Sequence, residues 1–335
     1  MSKLTKYKFS DLYEMSSGIS SSKEQAGHGS PFISFSTVFN NYFLPEELPD
    51  LMDTSLKEQE IFSVKKDDVF ITRTSETVDA LAMSCVAVKD YPKATFSGFV
   101  KRLRPKTTGI VYSKYIAFFL RSKYFRKVLD CNTIMTLRAS FNEDMFSFLY
   151  LYLPDYEEQV RIGDLLYKME MKIRTNNKIN DNLTAMAYDI YMHSFFSKKP
   201  NAKLKDILVE ADKSSVQVGE AKQSTGEYPF FTSGSAILKW DTPFIDGRNC
   251  FLNTGGNADV KFYVGEAAYS TDTWCISANN MSDYLYLLLV SIKPELNQKF
   301  FQGTGLKHLQ KPLLKDRPIY IPDFEELKTF NEQVT

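Results

Sequence analysis

Two stretches of this chain are near copies of one another. Tyr150–Glu158 reads Tyr-Leu-Tyr-Leu-Pro-Asp-Tyr-Glu-Glu, and Pro318–Glu326 reads Pro-Ile-Tyr-Ile-Pro-Asp-Phe-Glu-Glu. In each, an alternating strand-like run meets a proline, and an Asp followed three residues later by Glu then marks a helix N-terminus. Each copy closes a long region with a matching opening, Tyr7–Leu12 for the first and Ala202–Ile207 for the second. A repeat longer than the roughly 20–50 residues of a solenoid unit implies two whole modules of one kind, each burying its own core. The 335 residues leave room for both.

Within the first module, short strand-like runs (Pro31–Phe35, Asp68–Thr72, Met83–Val88) alternate with polar punctuation, and one amphipathic helix is expected over Ser113–Val128. The second module keeps that order. Tyr228–Phe231 matches Pro31–Ile33, Asn249–Leu252 matches Asp68–Ile71, and a helix at Tyr284–Val290 matches the one around Ile116. The second copy is shorter, and the excess in the first is assigned to the acidic Asn40–Glu60 region as a surface insertion. The fold class is therefore α+β.

Between the modules, from Glu157 to Phe196, strand alternation is absent. Ile162, Leu166, Met169 and Ile173 follow heptad-like spacing, and Ile179, Leu183, Met186 and Ile190 repeat it after the polar pair Asn176-Asn177. One long helix with a coiled-coil seam is expected, with Asp155 and Glu158 three residues on providing an N-cap that resembles a capping box. The resulting division is residues 1–155, first module; 156–198, helix; 199–323, second module; and 324–335, the start of a second helix. That second helix has Leu327, Phe330 and Val334 in register and reaches Thr335. This leaves open natural truncation, pairing with another chain, or trimming.

Formal net charge is zero, so there is no global basic signature. The charge is segregated, with Lys93, Lys101, Arg102, Arg104, Lys106, Lys114, Arg121, Lys123, Arg126 and Lys127 gathered between Lys89 and Arg138. Cys85, Cys131, Cys250 and Cys275 are scattered and lack metal-ligand spacing, which reads as reduced structural thiols rather than a zinc site. With no signal peptide and no apolar run near the ~18–20 residues of a membrane span, the chain is expected in the cytoplasm, with no membrane partner.

The strand-Pro-Asp-Tyr-Glu-Glu-Gln entry at Leu151–Gln159, the helix text Lys172–Leu183 (Lys-Ile-Arg-Thr-Asn-Asn-Lys-Ile-Asn-Asp-Asn-Leu) and the Gly303–Leu309 loop together resemble the specificity subunit of type I restriction-modification systems. The resemblance implies two target-recognition domains joined by a long coiled-coil-type helix. It also implies double-stranded DNA as ligand, with modification (methyltransferase) and restriction (endonuclease and translocase) subunits as partners. S-adenosylmethionine, ATP and magnesium would belong to those partners, leaving no cofactor in this chain. Self-association through the central helix is a further expectation. The sequence itself shows no methyltransferase, phosphate-loop or zinc-protease motif, so the chain is expected to be non-catalytic.

Reading DNA needs cations on phosphates and polar side chains on base edges. Candidates in the first module are Ser34, Ser36, Arg73, Thr74, Ser75, Thr136 and Arg138, with Lys101, Arg102, Arg104 and Lys106 as the phosphate-binding group. Those in the second are Thr232, Ser233, Ser235, Asn253, Thr254, Asn257, Thr304, Lys307 and His308. The competing reading is a dimerising scaffold or decoy without sequence-specific DNA recognition.

Overall fold

A computed structural model describes residues 4–75, 81–132 and 139–334. The chain forms two compact units that divide between Thr175 and Asn176.

The first unit is built on a four-stranded antiparallel sheet ordered Tyr13–Ser17, Val100–Pro105, Val69–Thr72, Ser84–Val86. Side chains alternate across it. Val69, Ile71, Val86 and Leu103 pack with Ile116, Ala117, Leu120 and Phe125 of the helical layer. Phe70, Cys85 and Val100 face the other way, onto Ile33 and Phe96 of a three-stranded sheet. That sheet runs Asp50–Met52, Ala26–Ile33, Thr95–Phe96, its first pair antiparallel and its second parallel. Being covered on both faces is why Val69–Thr72 is a continuous buried run rather than an alternating one.

The second unit repeats the plan. Its four-stranded sheet is ordered Val209–Glu210, Thr273–Ser277, Arg248–Asn253, Val260–Val264, and its three-stranded sheet Ile237–Trp240, Tyr228–Phe231, Ala268–Tyr269 has the same antiparallel and parallel pairings. Cys250, Leu252, Trp274 and Ile276 pack with the helix Ser282–Ser291, while Phe251 and Cys275 meet Phe231 and Tyr269. In each copy the opening and closing segments of the repeat are strand partners. Thr5–Lys8 pairs with Tyr150–Leu153, and Ala202–Lys203 with Pro318–Ile319.

Three expectations need correction. The helix at Ser113–Val128 is two helices, Ser113–Phe119 and Lys123–Asn132. Ser122 breaks it, because its hydroxyl accepts from the Phe125 N–H and so starts a new helix. The Asn40–Glu60 region is no mere surface insertion, since it supplies the sheet strand Asp50–Met52 and the buried side chains Phe43 and Leu44. The Asp155 carboxylate does accept from the Glu158 N–H, but Glu158 grips Arg161 instead of completing the box. The complete box stands in the second copy, at Asp323 and Glu326. There Lys198, first of all, and Tyr320 hold the Glu326 carboxyl down at about 2.

The central helix spans Tyr156–Tyr191 and ends in a wider turn, Met192–Phe196. Its first part packs in the first unit through Gln159, Gly163, Tyr167 and Met171. Tyr191 and Phe195 pack in the second unit on Tyr284 and Phe330. Of the heptad positions, Ile162, Leu166 and Ile190 are half-buried, whereas Met169, Ile173, Ile179, Leu183 and Met186 are exposed.

Candidate nucleic-acid interface

At one end of each four-stranded sheet, a tight turn is held against the residue that leaves the central buried strand. In the first module the turn is Ser97–Val100, closed by a bond from the Val100 N–H to the Ser97 carbonyl at 2.9 Å. Arg73 donates its N–H to the Phe99 carbonyl at 2.9 Å and accepts from the Phe141 N–H at 2.8 Å. In the second module the turn is Ser270–Thr273, closed at 3.0 Å; Thr254 donates to the Asp272 carbonyl at 3.0 Å and accepts from the Leu309 N–H at 2.9 Å. The supporting bonds repeat too. Gly98 donates to Ile19 as Thr271 does to Val216, and Ser97 donates to Ile33 as Ser270 does to Phe231. One backbone frame therefore carries different side chains in the two modules.

Several candidates lie on this frame. Arg73 is exposed, and Thr74-Ser75 form a short strand paired with Ala139-Ser140. Thr136 and Arg138 lie outside the described residues. In the second module the Gly256 N–H donates to the Lys307 carbonyl at 2.9 Å, and Gly255 bridges His308. This brings Thr254 and the exposed Asn257 to the same rim as the exposed Thr304, Lys307 and His308. Ser233 and Ser235 sit on the neighbouring hairpin turn, which Lys261 ties to the sheet by donating to the Thr232 carbonyl at 2.7 Å.

Other candidates make hydrogen bonds within the scaffold. Ser34 caps the helix Phe35–Asn40, and Ser36 bonds to Ser34. Thr232 is buried, with its hydroxyl donating to the Ala236 carbonyl at 2.6 Å. Asn253 is buried and spans its own loop, donating to the Gly255 and Asn257 carbonyls and accepting from the Asp259 N–H.

In the proposed phosphate group, Lys101 and Arg102 are buried, which differs from the expectation of a solvent-facing cluster. Lys101 is 3% exposed and pairs with Glu143 at 2.7 Å, which holds that carboxyl below its usual range. Arg102 is buried and donates to the Ser63 carbonyl at 2.6 Å. Arg104 makes two bonds to the fully buried Asp68, at 2.7 and 2.6 Å, and this pairing raises its own already high pKa. Lys106 is exposed but donates to the Ser10 carbonyl at 2.8 Å. On the strand Val100–Pro105, Lys101, Arg102 and Arg104 are thus bonded within the module, whereas Lys106 beyond its end stays exposed. Arg121, from the same basic run, likewise caps four backbone carbonyls, those of Val38, Phe39, Asn41 and Ser84.

Two frame residues escaped the sequence reading. Phe99 is 65% exposed at the tip of its turn, and Asp272 occupies the matching place. The available signal was Ser97-Gly98, a turn signature that leaves Phe99 no strand to belong to. Among the described residues no group of three or more His, Cys, Asp or Glu could hold a metal ion, and no helix is long and apolar enough to cross a membrane.

A model of the type I restriction modification DNA specificity domain matches residues 1–185 and, again, 198–334. Among solved structures, the type I restriction-modification S subunit from M. genitalium is similar over 99% of this chain and 88% of its own, at 12% identity and a TM-score of 0.64. The HsdS subunit from Thermoanaerobacter tengcongensis aligns over 99% of this chain and 88% of its own, at 11% identity and a TM-score of 0.38. The search of curated proteins returns no match. With both of its modules matched, the chain belongs to the type I restriction-modification DNA specificity family.

Proposed function

We propose that this chain is the subunit that chooses the DNA sequence on which a type I complex acts, each module reading one half of a split target. The observation that carries the two-part reading is the repeated frame. Matching backbone bonds present Arg73 and Phe99 in one module and Thr254 and Asp272 in the other, where Lys307 and His308 are held on the same rim. A shared mounting with different base-facing chemistry is what two unlike half-sites require.

The chemistry is assigned to partner subunits: adenine methylation from S-adenosylmethionine, and cleavage with translocation driven by ATP and magnesium. The exposed stripe Met169, Ile173, Ile179, Leu183 and Met186 is assigned to helix–helix association, with a partner subunit or a second copy. Nothing found supports the scaffold reading without DNA recognition.

Alanine substitution on the frame tests the assignment, with DNA selectivity as the readout. Arg73→Ala is expected to relax selection by roughly ten-fold at one base pair of one half-site, and Lys307→Ala with His308→Ala to weaken only the other half. Equal loss on all sequences from both variants would mean that these side chains touch phosphate alone.

A further inference from the structure

The turn tips hold a difference between the modules that bears on which bases they read. Three backbone groups around Phe99 are held by hydrogen bonds. Gly98 donates to the Ile19 carbonyl at 2.7 Å, the Phe99 N–H donates to the Ser97 hydroxyl at 3.2 Å, and the Phe99 carbonyl accepts from Arg73. A Cβ at Gly98 would stand 3.0 Å from the Ile19 carbonyl oxygen, so the turn is pressed against its support and carries one large side chain at its tip. Phe96 and Val100, on either side, are fully buried in the core. Phe99 alone is directed to solvent, from a backbone that cannot easily withdraw it.

We infer that Phe99 is a specificity residue of the first module, making apolar contact with the 5-methyl group of a thymine beside the base pair read by Arg73. We infer also that Asp272, at the matching tip, accepts from the exocyclic amine of a cytosine in the second half-site. This deepens the proposed function and rests on it. Apolar contact is the means of telling thymine from the other bases at its methyl group, and a carboxylate is the acceptor suited to the cytosine amine. Arg73 and Phe99 are joined through the 2.9 Å backbone bond, as Thr254 and Asp272 are through theirs at 3.0 Å, so each pair addresses neighbouring positions.

The test uses the chain copurified with its modification subunits. Once methylation has identified the recognised site, each thymine of the half-site altered by Arg73→Ala is replaced in turn by uracil, which removes only the methyl group. One replacement is expected to weaken binding by about four-fold, the worth of one buried methyl group. Phe99→Ala should lose about the same factor on the natural site and become indifferent to that replacement, while Phe99→Leu retains part of the discrimination. Asp272→Ala should relax one cytosine position in the other half. A half-site without a uracil-sensitive thymine, or a Phe99→Ala protein that still discriminates as the parent does, would overturn the assignment of Phe99. Unchanged cytosine selection by Asp272→Ala would overturn the assignment of Asp272. A complex that selects no DNA site at all would instead overturn the proposed function beneath both.

Discussion

Arg104 and Asp68 illustrate why polar residues near strand ends were hard to sort. The Asp68 carboxylate has no exposure, and it accepts two bonds from Arg104 and one from the Lys65 N–H. Removing one partner of such a pair leaves a buried charge uncompensated, which costs far more than a surface ion pair is worth. Arg104→Ala is expected to lower unfolding free energy by roughly 3 kcal/mol in urea melts. The salt slope of DNA binding should stay at the parental value, because no phosphate contact is lost. A shallower slope with unchanged stability would restore Arg104 to the DNA surface. The residue types Arg, Lys, Asn and Thr at loop-strand junctions were legible in sequence. Their direction was not, because the same donors serve a carbonyl or a phosphate and only the fold decides which is nearer. Phe99 failed in the opposite sense, as an aromatic side chain is assigned to a core by default.

Strands covered on both faces and the long central helix were readable, since continuous apolar runs and heptad spacing survive without tertiary context. The small three-stranded sheets were only partly so. Asp50–Met52 and Ile237–Trp240 are short edge strands whose order comes from pairing with Ala26–Ile33 and Tyr228–Phe231 rather than from their own pattern. The central helix adds a constraint at Gly163. A Cβ there would lie 2.7 Å from the Tyr115 backbone nitrogen, where the helix meets the Tyr112–Tyr115 segment. Gln159 and Asp164 fix that junction, Gln159 by accepting from the Tyr112 N–H and Asp164 by pairing with Lys114 and accepting from the Tyr112 hydroxyl. Gly163→Val is expected to destabilise the first module by about 1–3 kcal/mol through overpacking, read as a lowered first transition in a thermal melt. An unchanged melt would show that the helix does not seat as closely as described.

The duplication was the most legible property of the whole molecule. The matches Asn249–Leu252 with Asp68–Ile71 and Phe231 with Ile33 agree with the repeated hydrogen bonds residue for residue. It was legible because both copies keep the same strand-to-helix junction, while the side chains at the rim diverge. The compact units divide inside the helix rather than at its ends, since each module packs against the helical residues nearest to it. The central claim is that two unlike modules on one chain each specify half of one target. It is tested most directly by purifying the chain with its modification subunits and mapping methylated bases on genomic DNA at single-base resolution. The account predicts one asymmetric motif of two short defined blocks separated by a fixed run of unspecified bases. A single contiguous motif, or methylation without sequence preference, would contradict it.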